Sequence, residues 1–317
     1  MKARLTWMIA IGLALALMLL IAVQATSFLS DMPTLSDDMA STSESKSDEN
    51  IVDSTGVMPV IFRTVSEYGT PSGLSLRLNG TSEPNAVLIM LNKNERLRQI
   101  KADEKGNWRL DVNVDPTETM VLEVVMFVEG GLNVRADETV FRVPVPTSDD
   151  EEMSQDKTAL IMVTAPGGPT RIIQTPFGGS PTDGPLSMGP IDYDDTGGVI
   201  FSGTTEEEGR VRIYAGASAI GETRVGAGGR WNFIAGNMLP LGEYDIAAEL
   251  IKEDGVKARV SVPFERLAPS ESDKVSNEPD IKYEPFRWQI RRQLLGGGAQ
   301  YTAIFAPQEA DALIVEN

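Results

Sequence analysis

Apolar and polar residues alternate along most of this chain in short runs. Leu74-Ser75-Leu76-Arg77-Leu78 and Trp108-Arg109-Leu110-Asp111-Val112 put every second side chain on one apolar face, while Val87-Leu88-Ile89-Met90-Leu91 and residues 121–128 are more continuous. Gly, Pro, Asn or Asp bounds each run. A period of two between such turn residues predicts half-buried strands. A second set follows at residues 158–163, 199–202, 211–214, 230–234 and 244–251, with Pro166-Gly167-Gly168-Pro169 as a turn between two of its strands. Neither set contains a convincing amphipathic helix, and many short strands at regular spacing predict antiparallel β-sandwiches.

The two sets carry one repeated pattern. Trp108, in Gly106-Asn107-Trp108, lies 28 positions beyond Gly80-Thr81, and Trp231, in Gly229-Arg230-Trp231, lies 28 beyond Gly203-Thr204. A fixed internal spacing of this kind predicts two copies of one domain. The glycine supplies a hairpin turn and the tryptophan fills the space between two sheets, so both rings are expected in cores rather than on a binding face. This pattern resembles the small bacterial immunoglobulin-like domains of exported proteins. The resemblance implies two tandem immunoglobulin-like sandwiches and names no function.

Composition narrows the chemistry. The chain has 317 residues, 28 Lys+Arg against 46 Asp+Glu, a net charge of −18, and neither cysteine nor histidine. That charge opposes nucleic acid and anionic lipid across the general surface. Disulfides, thiolate metal sites, the usual zinc ligand and any Ser-His or Cys-His pair are excluded. The expectation is a non-enzymatic protein with no catalytic residue, no metal and no cofactor. The densest carboxylates of the second copy, Asp192-Tyr193-Asp194-Asp195 and Glu206-Glu207-Glu208, lack the alternating ligand order and glycine of a calcium loop and read as solvated loops.

Residues 7–23 are uncharged and apolar, preceded by Lys2 and Arg4 and followed by an acidic, Ser/Thr-rich stretch. This predicts an N-terminus inside and an exported remainder. The expected location is the inner membrane, spanned once through residues 7–25, with the bulk in the periplasm. Cleavage near Val23-Gln24-Ala25 would instead release the chain there.

Beyond residue 268 the pattern changes. After a polar linker, Trp288, Ile290, Leu294 and Leu295 precede Gly296-Gly297-Gly298, and Tyr301, Ile304 and Phe305 follow. That spacing predicts two short helices joined by a glycine turn. Lys282, Arg287, Arg291 and Arg292 against Glu284 give this segment a net charge of +3 over residues 282–300. Trp288-Gln289-Ile290-Arg291-Arg292 and Gly298-Ala299-Gln300-Tyr301-Thr302-Ala303-Ile304-Phe305 resemble the helical part of a LysM module. The order of segments resembles the LysM peptidoglycan-binding envelope proteins of alphaproteobacteria.

The resemblance implies a peptidoglycan partner, an N-acetylglucosamine polymer, met by Arg287, Trp288, Arg291, Arg292 and Tyr301. The LysM-like segment is incomplete. It opens with Tyr283-Glu284-Pro285-Phe286 where the family has a Gly-Asp turn, and Arg287 and Arg291 occupy positions that are apolar or small in the family. The alternative partner is another envelope protein, with the chain a periplasmic scaffold. The expected domains are a membrane anchor or signal segment (1–29), a flexible acidic linker (30–56), the first immunoglobulin-like domain (57–146), an acidic linker (147–157), the second such domain (158–268), a polar linker (269–281) and the LysM-like segment (282–317).

Overall fold

The computed structural model describes residues 56–128, 133–146, 158–178, 185–236, 239–269, 278–294, 297–307 and 311–312. All lie within one compact unit, Glu49–Asn317. The apolar segment at 7–25 and most of the linkers fall outside the described residues. Among the described residues no helix is long and apolar enough to cross a membrane.

The chain is mainly β. Its first half forms β1 (Ile61–Thr70), β2 (Gly73–Thr81), β3 (Val87–Asn92), β4 (Glu95–Lys101), β5 (Asn107–Val114), β6 (Met120–Phe127), β7 (Asn133–Arg135), β8 (Thr139–Val143), β9 (Leu160–Thr164) and β10 (Arg171–Gln174). Its second half forms β11 (Ser187–Asp194), β12 (Val199–Thr204), β13 (Arg210–Ala215), β14 (Ser218–Arg224), β15 (Arg230–Ile234), β16 (Gly242–Lys252), β17 (Gly255–Arg266), β18 (Asp280–Tyr283), β19 (Arg287–Gln293), β20 (Ala299–Phe305) and β21 (Asp311–Ala312).

These strands make four antiparallel sheets. Sheet A is β1-β2-β5; sheet B is β10-β9-β8-β6-β3-β4, with β7 also on β6; sheet C is β15-β12-β11-β20-β19-β18; sheet D is β14-β13-β16-β17-β21. One core, including Phe62, Leu78, Met90, Trp108 and Leu122, joins sheets A and B. A second, including Phe201, Ile213, Trp231, Leu250 and Phe264, joins sheets C and D. A third joins the two sandwiches: Val121, Phe141, Val143, Leu160 and Met162 of sheet B meet Trp288, Ile290 and Ile304 of sheet C. Two outer sheets therefore enclose two inner sheets, whose strands β8, β9 and β20 are covered on both faces.

The repeat is reproduced in the register. In sheet A, Ile61 pairs with Thr81, Phe62 with Gly80 and Gly80 with Trp108. In sheet C, Ser187 pairs with Thr204, Met188 with Gly203 and Gly203 with Trp231. A bulge follows in each first strand, between Phe62 and Thr64 and between Met188 and Ile191. Both tryptophans are buried, as expected of core rings. Neither indole N–H has a hydrogen-bond acceptor, so the ring area rather than its polar tip holds tryptophan in place.

Two sequence expectations need correcting. The run at 158–163, assigned above to the second copy, falls on β9 (Leu160–Thr164), which pairs with β8, and β10 pairs with β9, so both extend the sheet of the first copy. The Pro166–Pro169 segment does turn between two strands, but those strands are β9 and β10. The segment expected to form two LysM-like helices is instead the hairpin β19–β20, with Trp288 opposite Ile304 and Arg291 opposite Tyr301. β20 joins it to β11, so the segment completes the second sandwich. β20 is buried along its whole length and its backbone is satisfied by β19 on one edge and β11 on the other, while its alternate side chains serve two cores.

The glycine of the repeat is sterically required. A methyl group on Gly203 would lie 2.1 Å from the Ser187 carbonyl oxygen and 2.4 Å from the Trp231 ring, and one on Gly80 meets Ile61 and Trp108 in the same way. Gly203→Ala should cost about 3 kcal/mol in urea unfolding, at the upper end of overpacking effects. Gly69→Ala, where nothing lies within 4 Å of the added methyl, should stay within about 0.5 kcal/mol. A neutral Gly203→Ala would show that the Gly-Trp contact is not a constraint.

Candidate functional site

The residues singled out for glycan binding lie on one hairpin but divide between its two faces, and neither aromatic ring is displayed. Trp288 is 5% exposed and packs edge-on against Phe177 at 5.7 Å and Tyr283 at 4.8 Å. Tyr301 is equally buried and stacks on Tyr193 with ring centroids 4.7 Å apart. The two rings belong to different cores, Trp288 to the third and Tyr301 to the second. This follows from the pairing of β19 and β20, whose alternate side chains point to opposite faces.

The cations are also engaged. Arg287 is half-buried and donates to Glu284 at 2.9 Å, with Glu265 3.8 Å away. Lys282 pairs with Glu284 at 2.8 Å. Arg292 donates through Nε to Gln300 Oε1 at 2.9 Å and lies over the Phe141 ring at 5.8 Å. Burial pulls its pKa down to about 10, against the opposing pull of Asp192 and Glu123. Arg291 is half-buried, with its Nε lacking an acceptor. The basic segment seen in the sequence is therefore divided between ion pairs and the seam.

The acidic cluster of the second copy is likewise taken up by structure. Asp192 is 1% exposed. Its Oδ2 accepts the Thr170 N–H at 2.7 Å, and its Oδ1 accepts the hydroxyls of Thr170 at 2.7 Å and Thr302 at 2.6 Å. Thr170 precedes β10 of the first sandwich and Thr302 lies on β20, so one carboxylate ties three segments across the seam. Asp194 accepts the Thr196, Gly197 and Gly198 N–H groups and closes the β11–β12 turn. Asp195 accepts the Ala299 N–H at 2.6 Å. Glu207 pairs with Lys252. Among the described residues no group of three metal-ligating side chains comes together. Nothing in the sequence distinguishes the inward Asp192 from its neighbours, because a carboxylate within Asp-Tyr-Asp-Asp looks like every other loop acid.

One cavity of about 430 Å³ opens at the seam, among Pro169, Ile172, Met188, Pro190, Trp231 and Phe305. It lies where β11 leaves β20: the ladder between them begins at Ile191, just after the bulge between Met188 and Ile191. Much of its polar lining is already bonded. Ser202 donates to the Pro190 carbonyl at 2.8 Å, Thr170 is held by Asp192, and Arg171 pairs with Glu138 at 2.7 Å. The cavity offers an apolar shape at a domain interface.

No family model matches this chain, and no curated protein matches it. Among solved structures it is similar to the central fibronectin-III array of RIM-binding protein, at 11% identity over 80% of this chain and 89% of that one, with a TM-score of 0.25.

Asp192 generates a pH prediction. Burial raises its carboxyl above the ordinary range, outweighing the Thr302 and Thr170 hydrogen bonds and the Arg292 charge. An acid raised in the folded state contributes most below its unfolded pKa of about 3.9, and that contribution is lost as pH rises through the folded value. Urea unfolding from pH 4 to 8 should therefore favour the unmodified chain over Asp192→Asn more at pH 4 than at pH 8. The opposite trend would mean that the three donors hold the carboxylate ionised despite burial.

Proposed function

We propose that this chain is a non-enzymatic envelope protein, held at the inner membrane by its N-terminal apolar segment and exported beyond it, and that its paired sandwiches form a protein-interaction scaffold. The observation that carries the scaffold reading over glycan binding is the burial of Trp288 and Tyr301 in two different cores. Stacking on a sugar needs a ring exposed at a concave site, and neither Trp288 nor Tyr301 is exposed. The uncharged run at residues 7–23 after Lys2 and Arg4 supports export. The missing histidine and cysteine, and the use of the clustered carboxylates in turns and at the seam, support the absence of catalysis.

Rigidity fits a scaffold. The third core and the Asp192 bonds fix one sandwich on the other, so surfaces on sheets A and D keep a constant separation without depending on a flexible hinge.

To test this, residues 31–317 are sedimented with isolated peptidoglycan, and the full chain is crosslinked in cells. The protein should remain in the supernatant and crosslink to a defined envelope protein. Pelleting that saturates with added peptidoglycan would overturn the scaffold reading in favour of the LysM-like one.

A further inference from the structure

The two copies treat one edge differently. Strand β11 of the second copy has neighbours on both sides, β12 and β20, whereas its counterpart β1 ends sheet A and pairs with β2 alone. The correspondence is residue by residue. After the shared bulge, Val65 pairs with Leu78 and Ile191 with Phe201, which aligns Val65, Glu67 and Gly69 with Ile191, Tyr193 and Asp195. In the second copy this last set faces β20: the Asp195 N–H donates to the Ala299 carbonyl at 3.3 Å, Tyr193 pairs with Tyr301 and Ile191 with Ala303. Backbone groups alternate between the two edges of a strand, so the N–H and C=O groups of Val65, Glu67 and Gly69 point away from β2. No strand among the described residues takes them.

The surroundings limit what fits. The first end of the edge is closed, because the Phe62 N–H donates to Glu138 at 2.9 Å and Arg171 reaches the Phe62 carbonyl at 3.5 Å. Beneath β1, sheet B runs on: β8 is tied to β1 by the buried Arg142–Glu67 pair, and β9 and β10 continue past it. A second copy of this chain pairing edge to edge would bring its own inner sheet into the space of β9 and β10. A single extended segment has no such conflict. Ile173, on the outermost of these strands, is 38% exposed.

We infer that the outer edge of β1 is an acceptor for one extended peptide segment of a partner protein, added as a fourth strand of sheet A. This rests on the scaffold reading and gives it a site. Strand β20 supplies the occupant's pattern: Ala299, Tyr301, Ala303 and Phe305 turn into the second core from alternate positions. The partner segment therefore carries apolar side chains at every second position over about five residues, the usual strand length. Its polar positions face solvent.

The probe is a fluorescein-labelled peptide of residues 297–307 of this chain with two added lysines, titrated into the full chain by fluorescence anisotropy. Gly69→Pro removes one outward N–H, and Gly69→Ala retains it. Circular dichroism melting confirms that both variants fold. Binding should weaken at least tenfold in Gly69→Pro and stay within twofold in Gly69→Ala. Amide exchange at Val65, Glu67 and Gly69 should be fast in the free chain and slowed by the peptide. Absence of binding, equal binding by Gly69→Pro, or protection of these amides without peptide would each overturn the inference. A partner crosslinked in cells and retained by Gly69→Pro would leave the scaffold reading standing while removing this edge from it.

Discussion

The burial of the central strands of sheets B and C on both faces governs the rest of the molecule. An inner strand must serve two cores at once, and water reaches neither side to satisfy a stray polar group. Strands β8, β9 and β20 meet this condition with every residue buried. Along β20, Ala299, Tyr301, Ala303 and Phe305 enter the second core while Ile304 enters the third. Along β9, Ile161 and Val163 enter the first core and Leu160 and Met162 the third. The polar members of these faces are bonded across the seam, as Gln300 is to Thr164 at 3.3 Å and Thr302 to Asp192. On its other face, β8 places Arg142 against Glu67 and the carbonyls of Asp115, Pro116 and Glu118.

This constraint explains which parts of the fold were legible in the sequence. The outer strands β2 and β5 alternate because one face meets water, and their runs were read correctly. The Gly-Thr and Gly-x-Trp spacing was legible because a ring packed on a glycine tolerates few alternatives. The inner strands lose that alternation, since a residue buried on either face can be apolar. Trp288, Ile290, Tyr301, Ile304 and Phe305 then fit a helical spacing as well as a strand one, a known ambiguity of short apolar runs. Sheet membership was hidden for a related reason. The chain leaves the first sandwich only after β10, beyond the acidic stretch that looked like a boundary.

The candidate site was legible in its residues but not in their directions. Arg287, Trp288, Arg291, Arg292 and Tyr301 do lie on one hairpin, as their proximity in sequence required. Strand geometry sends Trp288 and Arg292 towards sheet B, while Tyr301 packs with Tyr193 in the second core and Arg287 approaches Glu265 of sheet D. A helix would have grouped them differently, because its period places residues four apart on one face. Asp192 and Asp194 share one face of β11, but Asp192 lies within the strand under the first sandwich, whereas Asp194 ends the strand and closes a turn.

An open strand edge normally invites uncontrolled pairing, and long flat ones are hazards for aggregation. In this chain the hazard is limited by layers of unequal width. Sheet A has three strands and the sheet beneath it six on its main path, so the free edge of β1 sits on a shelf that blocks any approach by another whole sandwich. The Glu138 and Arg171 clip removes one end, the bulge after Phe62 bends the strand, and Arg63 adds an exposed charge beside it. The second copy carries the corresponding edge without a hazard because its own C-terminal hairpin fills it. Two similar domains thus reach the same sheet arrangement by different means, one closed from within the chain and one left open to a single strand.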